Sequence, residues 1–137
     1  MGRILGLDIG MKRSGVAVTD PARIIVTGLD TQPSDKLMDF LQAYVAREPV
    51  DAIIVGYPFL DESWGDPAFK TFLDKTIAAI RKAFPSLAVE LQDERFTSAH
   101  AREIMVMSGK KKKDRRDKAL LDRTSAILIL QTYLGHV

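Results

Sequence analysis

Three apolar runs open the chain, at residues 3–10, 14–19 and 23–29, and only a few residues connect each to the next. Strands joined so closely must run antiparallel, because a parallel crossover takes a dozen residues or more. The opening segment therefore reads as a three-stranded meander, with Gly10 and Gly15 bounding its first turn. The next run, DAIIVG at 51–56, is continuous rather than alternating, the pattern of a strand covered on both faces. A helix precedes it: Ser34 in Pro33-Ser34-Asp35 is placed to cap it, and Leu37, Phe40, Leu41, Tyr44 and Val45 share one face before Glu48-Pro49 ends it. A strand reached through a helix lies parallel to the one it joins.

The unit then repeats. Residues 57–66 form a loop rich in Pro, Gly and acids, and Asp66-Pro67 supplies a cap followed by proline at the first helical position. Phe69, Phe72, Leu73, Ile77, Ile80 and Phe84 form the buried stripe of that helix, which Pro85 stops. A strand follows at 87–91. Thr97 or Ser98 caps a helix reaching about Ser108, closed by Gly109, and a last helix from about Lys118 carries the all-apolar AILIL at 126–130. The expected architecture is α/β: a mixed five-stranded sheet, three antiparallel and then two parallel strands, with helices on both faces. With 137 residues, 46% of them hydrophobic, one core and one domain over 1–137 are expected.

Asp8 stands at the centre of the apolar run ILGLDIG, and desolvating a carboxylate costs several kcal/mol. Either backbone N–H groups of the Gly10 turn satisfy it, or it is a metal ligand or catalytic acid. Two other acids fall at element boundaries, Glu94 after the last strand and Asp122 in the opening turn of the last helix. Each has an ordinary reading alone, as a solvated turn residue or as an acid favoured by a helix N-terminus. Sites in α/β sheets gather at the carboxyl ends of parallel strands, where Glu94 lies. A carboxylate cluster without His or Cys suits Mg2+ or Mn2+. Two such ions about 4 Å apart activate a water and stabilise the leaving oxygen of a phosphoryl displacement.

Charge supports the same direction. The net charge is +2, yet KKKKDRRDK at 110–118 alone holds seven basic and two acidic residues, so the remainder is acidic. Lys110, Lys111, Lys112, Lys113, Arg115, Arg116 and Lys118 suit a phosphate backbone, although lysine-rich loops also serve solubility alone. The absence of cysteine excludes disulfides, thiolate metal sites and a cysteine nucleophile. With no apolar run of membrane-spanning length and no basic-then-apolar leader, a cytoplasmic protein without a membrane partner is expected. Tyr57 and Trp64 flank the 57–66 loop, where an aromatic could stack on a base or simply pack on its own domain. His100, His136, Ser98, Ser125, Met105 and Met107 read as helix, tail, cap or packing residues.

Four segments in order resemble the YqgF family, relatives of the RuvC Holliday-junction resolvases described as candidate pre-16S rRNA nucleases. They are LGLDIGMKRSGVAVTD at the start, DAIIVGYP, DERFTS at 93–98, and KALLDRTSAILILQTYL at 118–134. The resemblance implies a ribonuclease H-like fold and places an acidic, metal-binding catalytic triad on Asp8, Glu94 and Asp122. It sets Lys12 and Arg13 near the phosphate and brings Lys118 to the substrate. The chain departs from the family at FLDESWGDP, where many relatives carry a leucine-proline-leucine-asparagine loop. RuvC-like enzymes place four acids at their metals; Asp20, Asp93 and Asp117 are the remaining candidates.

The expected function is a Mg2+- or Mn2+-dependent endonuclease on structured nucleic acid. Its partners are precursor 16S rRNA cut at the 5′ end, with branched DNA as the alternative, and ribosomal particles, the protein being a monomer or homodimer. Holliday-junction resolution and a non-catalytic ribosome-assembly role stand beside it. An actin-like or sugar-kinase ATPase also starts on a strand with a DxG turn, but this chain has one such unit and no P-loop.

Overall fold

The computed structural model describes residues 2–58, 67–93 and 115–136, the last stretch with side chains from Arg123 onward. Strands β1 (Arg3–Ile9), β2 (Arg13–Thr19) and β3 (Val26–Gly28) form the meander, followed by a two-residue β4 (Gln32–Pro33) and a 3-10 turn (Ser34–Lys36). Helix α1 (Leu37–Arg47), strand β5 (Val50–Tyr57), helix α2 (Pro67–Ala83), strand β6 (Ala88–Asp93) and helix α3 (Arg115–Tyr133) complete the described elements. The sheet order is β3-β2-β1-β5-β6, with β4 also pairing with β2. β1–β2 and β2–β3 are antiparallel, and β1–β5 and β5–β6 are parallel, as the connection lengths dictate.

Alternation along the strands builds two apolar layers. Leu5, Leu7, Ile9, Val16, Val18, Ile53 and Val55 face α1 and α2, meeting Leu37, Leu41, Tyr44, Leu73, Ile77 and Ile80. Ile4, Ala17, Ala52 and Ile54 face the other way, onto Ala126, Ile129 and Leu130 of α3. The continuous run in β5 has this cause: its odd residues serve one layer and its even residues the other.

Small residues let α3 sit low on the sheet. Gly6, Ala17 and Gly28 lie side by side in register across β1, β2 and β3. A Cβ on Gly6 would fall 2.4 Å from Leu130 Cγ, and one on Gly28 would fall 2.4 Å from Arg123 Cγ. The Leu130 and Arg123 side chains of α3 therefore occupy space that a Cβ on Gly6 or Gly28 would fill.

The structure departs from the sequence expectations at several places. β4 makes a sixth strand, pairing Arg13 with Pro33 and Ser14 with Gln32; two residues are too few to show a period. Gly15 lies inside β2 opposite Asp8, so the first turn is tighter than Gly10–Gly15. β3 begins at Val26 rather than Arg23, because Arg23 has φ 62° and the Ile24 and Ile25 N–H groups bond the Asp20 carboxylate instead of a ladder. The last helix begins at Arg115, three residues before Lys118. The helix expected from Thr97 or Ser98 to Gly109 lies outside the described residues, as does the 59–66 loop with Trp64.

Candidate functional site

Asp8 is the penultimate residue of the central strand β1, and its side chain is half-buried. Two residues earlier Gly6 lies beneath Leu130, and two before that Ile4 packs in the α3 layer. Alternation carries Asp8 to the same face. β1, β5 and β6 run parallel, so their carboxyl ends, at Ile9, Tyr57 and Asp93, lie along one edge of the sheet, with Tyr57 paired to Asp93. Glu94 is the residue after β6 and lies outside the described residues. Asp122 belongs to α3 one helical turn before Ala126, which is buried against the sheet; the Asp122 side chain lies outside the described residues. Among the described side chains the triad is represented by Asp8 alone, and they contain no group of three or more His, Asp or Glu able to share a cation.

Two of the three candidates for a fourth acid are separated from Asp8 by the fold. Asp20 follows β2, whose end pairs near the start of β1, at the opposite edge of the sheet from Asp8. Its carboxylate accepts the Ile25 and Ile24 N–H groups at 2.8 and 2.7 Å, which hold it below the usual carboxylate range. Asp93 follows Val89 and Leu91 in alternation, and both of these pack with the α1 and α2 layer. Glu90, by contrast, accepts a hydrogen bond from Tyr133 of α3, so the Asp8 side of β6 carries Glu90 and Gln92. Asp117 lies in the first turn of α3 and its side chain is outside the described residues.

The turn from β1 to β2 carries Lys12, which is exposed, and Arg13, which is half-buried and opens β2. Gly10 N donates to Arg13 O at 3.0 Å, and a Cβ at Gly10 would stand 2.6 Å from that oxygen, so the turn closes only over glycine. Ser34 was expected to cap the following helix. It makes no cap bond. Its hydroxyl donates to Gly10 O at 2.5 Å and pairs with the Ser14 hydroxyl at 2.8 Å, while its N–H donates to Lys12 O at 2.9 Å. Sequence reading missed this role because a serine after proline at the start of an apolar stripe has the same appearance as a cap.

Of the other basic residues, Arg115, Arg116 and Lys118 lie in the opening turns of α3, and Lys110, Lys111, Lys112 and Lys113 lie outside the described residues. The Tyr57 hydroxyl donates to Asp74 of α2 at 2.8 Å, which ties that ring to α2 on the face away from Asp8. Ser125 is a buried residue of α3, and His136 is exposed; His100, Ser98, Met105 and Met107 lie outside the described residues. No helix among the described residues is long and apolar enough to cross a membrane.

The sequence profile of the RuvX family, described as Holliday junction resolvase, matches residues 2–136. A Bacteroides thetaiotaomicron protein named "Putative pre-16S rRNA nuclease" is 46% identical over 134 residues, covering 98% of this chain and 96% of its own. Proteins of the same name from Porphyromonas gingivalis and Phocaeicola vulgatus are 46% and 47% identical, covering 99% and 98% of this chain and 98% and 96% of their own. Among solved structures, T. thermophilus RuvC in complex with a Holliday junction substrate superposes with TM-score 0.62 at 14% identity, covering 97% of this chain and 96% of that one. The fowlpox virus resolvase bound to Holliday junction DNA gives 0.56 at 14% identity, covering 98% and 97%. These two likenesses carry the fold, and the profile and the close relatives carry the family: the chain belongs to the RuvX (YqgF) family and has the ribonuclease H-like fold of the RuvC resolvases.

Proposed function

We propose that the protein is a divalent-metal-dependent endonuclease that processes the 5′ end of precursor 16S rRNA. The observation that carries this reading is Asp8, a half-buried acid near the carboxyl end of the central strand, on the face that α3 covers. Close relatives bearing the pre-16S rRNA nuclease name support the choice of substrate. Asp8, Glu94 and Asp122 would hold Mg2+ or Mn2+, whose oxygen preference suits an all-carboxylate donor set. Such a cation, when bound, supplies an activated water and charge stabilisation at the scissile phosphate.

The chain's own residues orient the substrate in this reading. Lys12 and Arg13 approach the phosphate from the β1–β2 turn, while Lys110 to Lys113, Arg115, Arg116 and Lys118 hold the backbone at the start of α3. The protein works as one domain in the cytoplasm, on RNA within ribosomal particles. Incubating precursor 16S rRNA with wild type and Asp8→Asn in Mg2+ or Mn2+ tests it. Cleavage is expected from wild type only; equal cleavage by both variants removes Asp8 from the chemistry. No cleavage by either leaves a binding role in ribosome assembly.

The family description favours one second reading, resolution of branched DNA. A two-fold junction requires two active sites facing each other, so that reading demands a stable homodimer making paired incisions. A monomer that cuts RNA and leaves four-way DNA intact excludes it.

A further inference from the structure

We infer that Ser34 is a positioning residue for nucleic-acid phosphate: it fixes the β1–β2 turn so that Lys12 and Arg13 meet the backbone together. The inference rests on the proposed role of Lys12 and Arg13. Ser34 touches that turn at three alternate positions. It donates its hydroxyl to Gly10 O at 2.5 Å, shares a hydrogen bond with the Ser14 hydroxyl at 2.8 Å, and donates its N–H to Lys12 O at 2.9 Å. Ser14 is fully buried, so one end of this network is anchored in the sheet.

The other end is anchored as well. Pro33 and Gln32 pair with Arg13 and Ser14 through β4, and Leu37, three residues after Ser34, is buried in the main core. The turn therefore has a brace that reaches it from outside its own hairpin. The ladder and the Gly10 N–H bond to Arg13 O already close the hairpin. What Ser34 adds is the orientation of the peptide planes at Gly10 and Lys12, and these set the directions in which the Lys12 and Arg13 side chains leave the backbone. Binding groups gain most when held within about 0.5 Å of their working position, and a long cationic side chain starting from a wandering turn is not. Threonine keeps the hydroxyl; alanine removes two of the three bonds and leaves the N–H.

The experiment is a double-mutant cycle on binding of the full-length protein to a precursor 16S rRNA fragment in EDTA, so that turnover plays no part. Ser34→Ala is expected to weaken affinity by roughly three- to tenfold and to lower the salt slope by about 1, as when one phosphate goes unneutralised. Ser34→Thr should restore both. In a Lys12→Ala/Arg13→Ala background, Ser34→Ala should have no further effect, which a residue that merely stabilised the fold would not produce. Equal losses in both backgrounds, no loss in either, or a Ser34→Thr protein as weak as Ser34→Ala overturns the inference while the site reading stands. Unchanged affinity on removing Lys12 and Arg13 overturns the role of the turn itself, and the inference with it.

Discussion

Asp51 accepts the Gly2 N–H at 2.9 Å and pairs with Arg23 at 2.9 Å, and both interactions, the Gly2 bond foremost, lower its pKa. Asp20 is lowered by the N–H groups of Ile25 and Ile24. A depressed carboxyl stabilises the fold at pH above its unfolded value, near 3.8, and that stabilisation is lost as pH falls through the lower folded value. The Asp20→Asn/Asp51→Asn protein should therefore lose melting temperature less steeply than wild type on acidification below about pH 4. Parallel curves would show that these acids do not set the acid limb. Asp8 is tested differently, through the cation it is proposed to hold. At a Mg2+ or Mn2+ concentration about a hundred times its Kd, wild type should gain roughly 2.7 kcal/mol of stability, and Asp8→Asn should gain far less. A wild-type melting temperature indifferent to both ions would remove the proposed metal site.

At the scale of elements, the seat of α3 sets how closely the last helix approaches β1. Gly6→Ala places a methyl group 2.4 Å from Leu130 Cγ and should cost about 1–3 kcal/mol in urea unfolding, as overpacking does. Leu130→Ala empties the same space and should cost about 2–5 kcal/mol. If α3 instead tolerates Gly6→Ala without loss, the helix is free to lift from the sheet. Much of this layer was legible: the apolar 126–130 run announced a buried helix, and short connections fixed which strands pair antiparallel. The Asp8, Glu94 and Asp122 grouping came from motif resemblance, and of the three only the Asp8 side chain lies among the described residues. What could not be read was contact between residues far apart in the chain. Ser34 had a local explanation as a cap, and nothing local distinguishes that from its bonds to Gly10 and Ser14. Arg123 likewise reaches Asp30, far from it in the chain, at 3.1 Å, and its buried Nε has no hydrogen-bond partner among the described residues. Periodicity reports which face is buried, not which distant group meets it.

Over the whole molecule, positive charge is segregated at 110–118 against an otherwise acidic chain. Replacing Lys110 to Lys113 by glutamine should weaken RNA binding at all sequences and flatten its dependence on log salt by about 0.7–0.9 for each phosphate left unneutralised. An unchanged slope would assign that segment to solubility. The row of Gly6, Ala17 and Gly28 beneath α3 also has a temporal consequence. The first strand of the chain is covered by its last helix, so this packing joins residues separated by nearly the full sequence. Closing so long a stretch of chain costs more entropy than pairing neighbouring strands. A chain still emerging from the ribosome has its Asp8 strand but no α3 to lay over it. Until residues 115–133 have been made, the α3 face of the sheet, with Asp8 on it, stays uncovered.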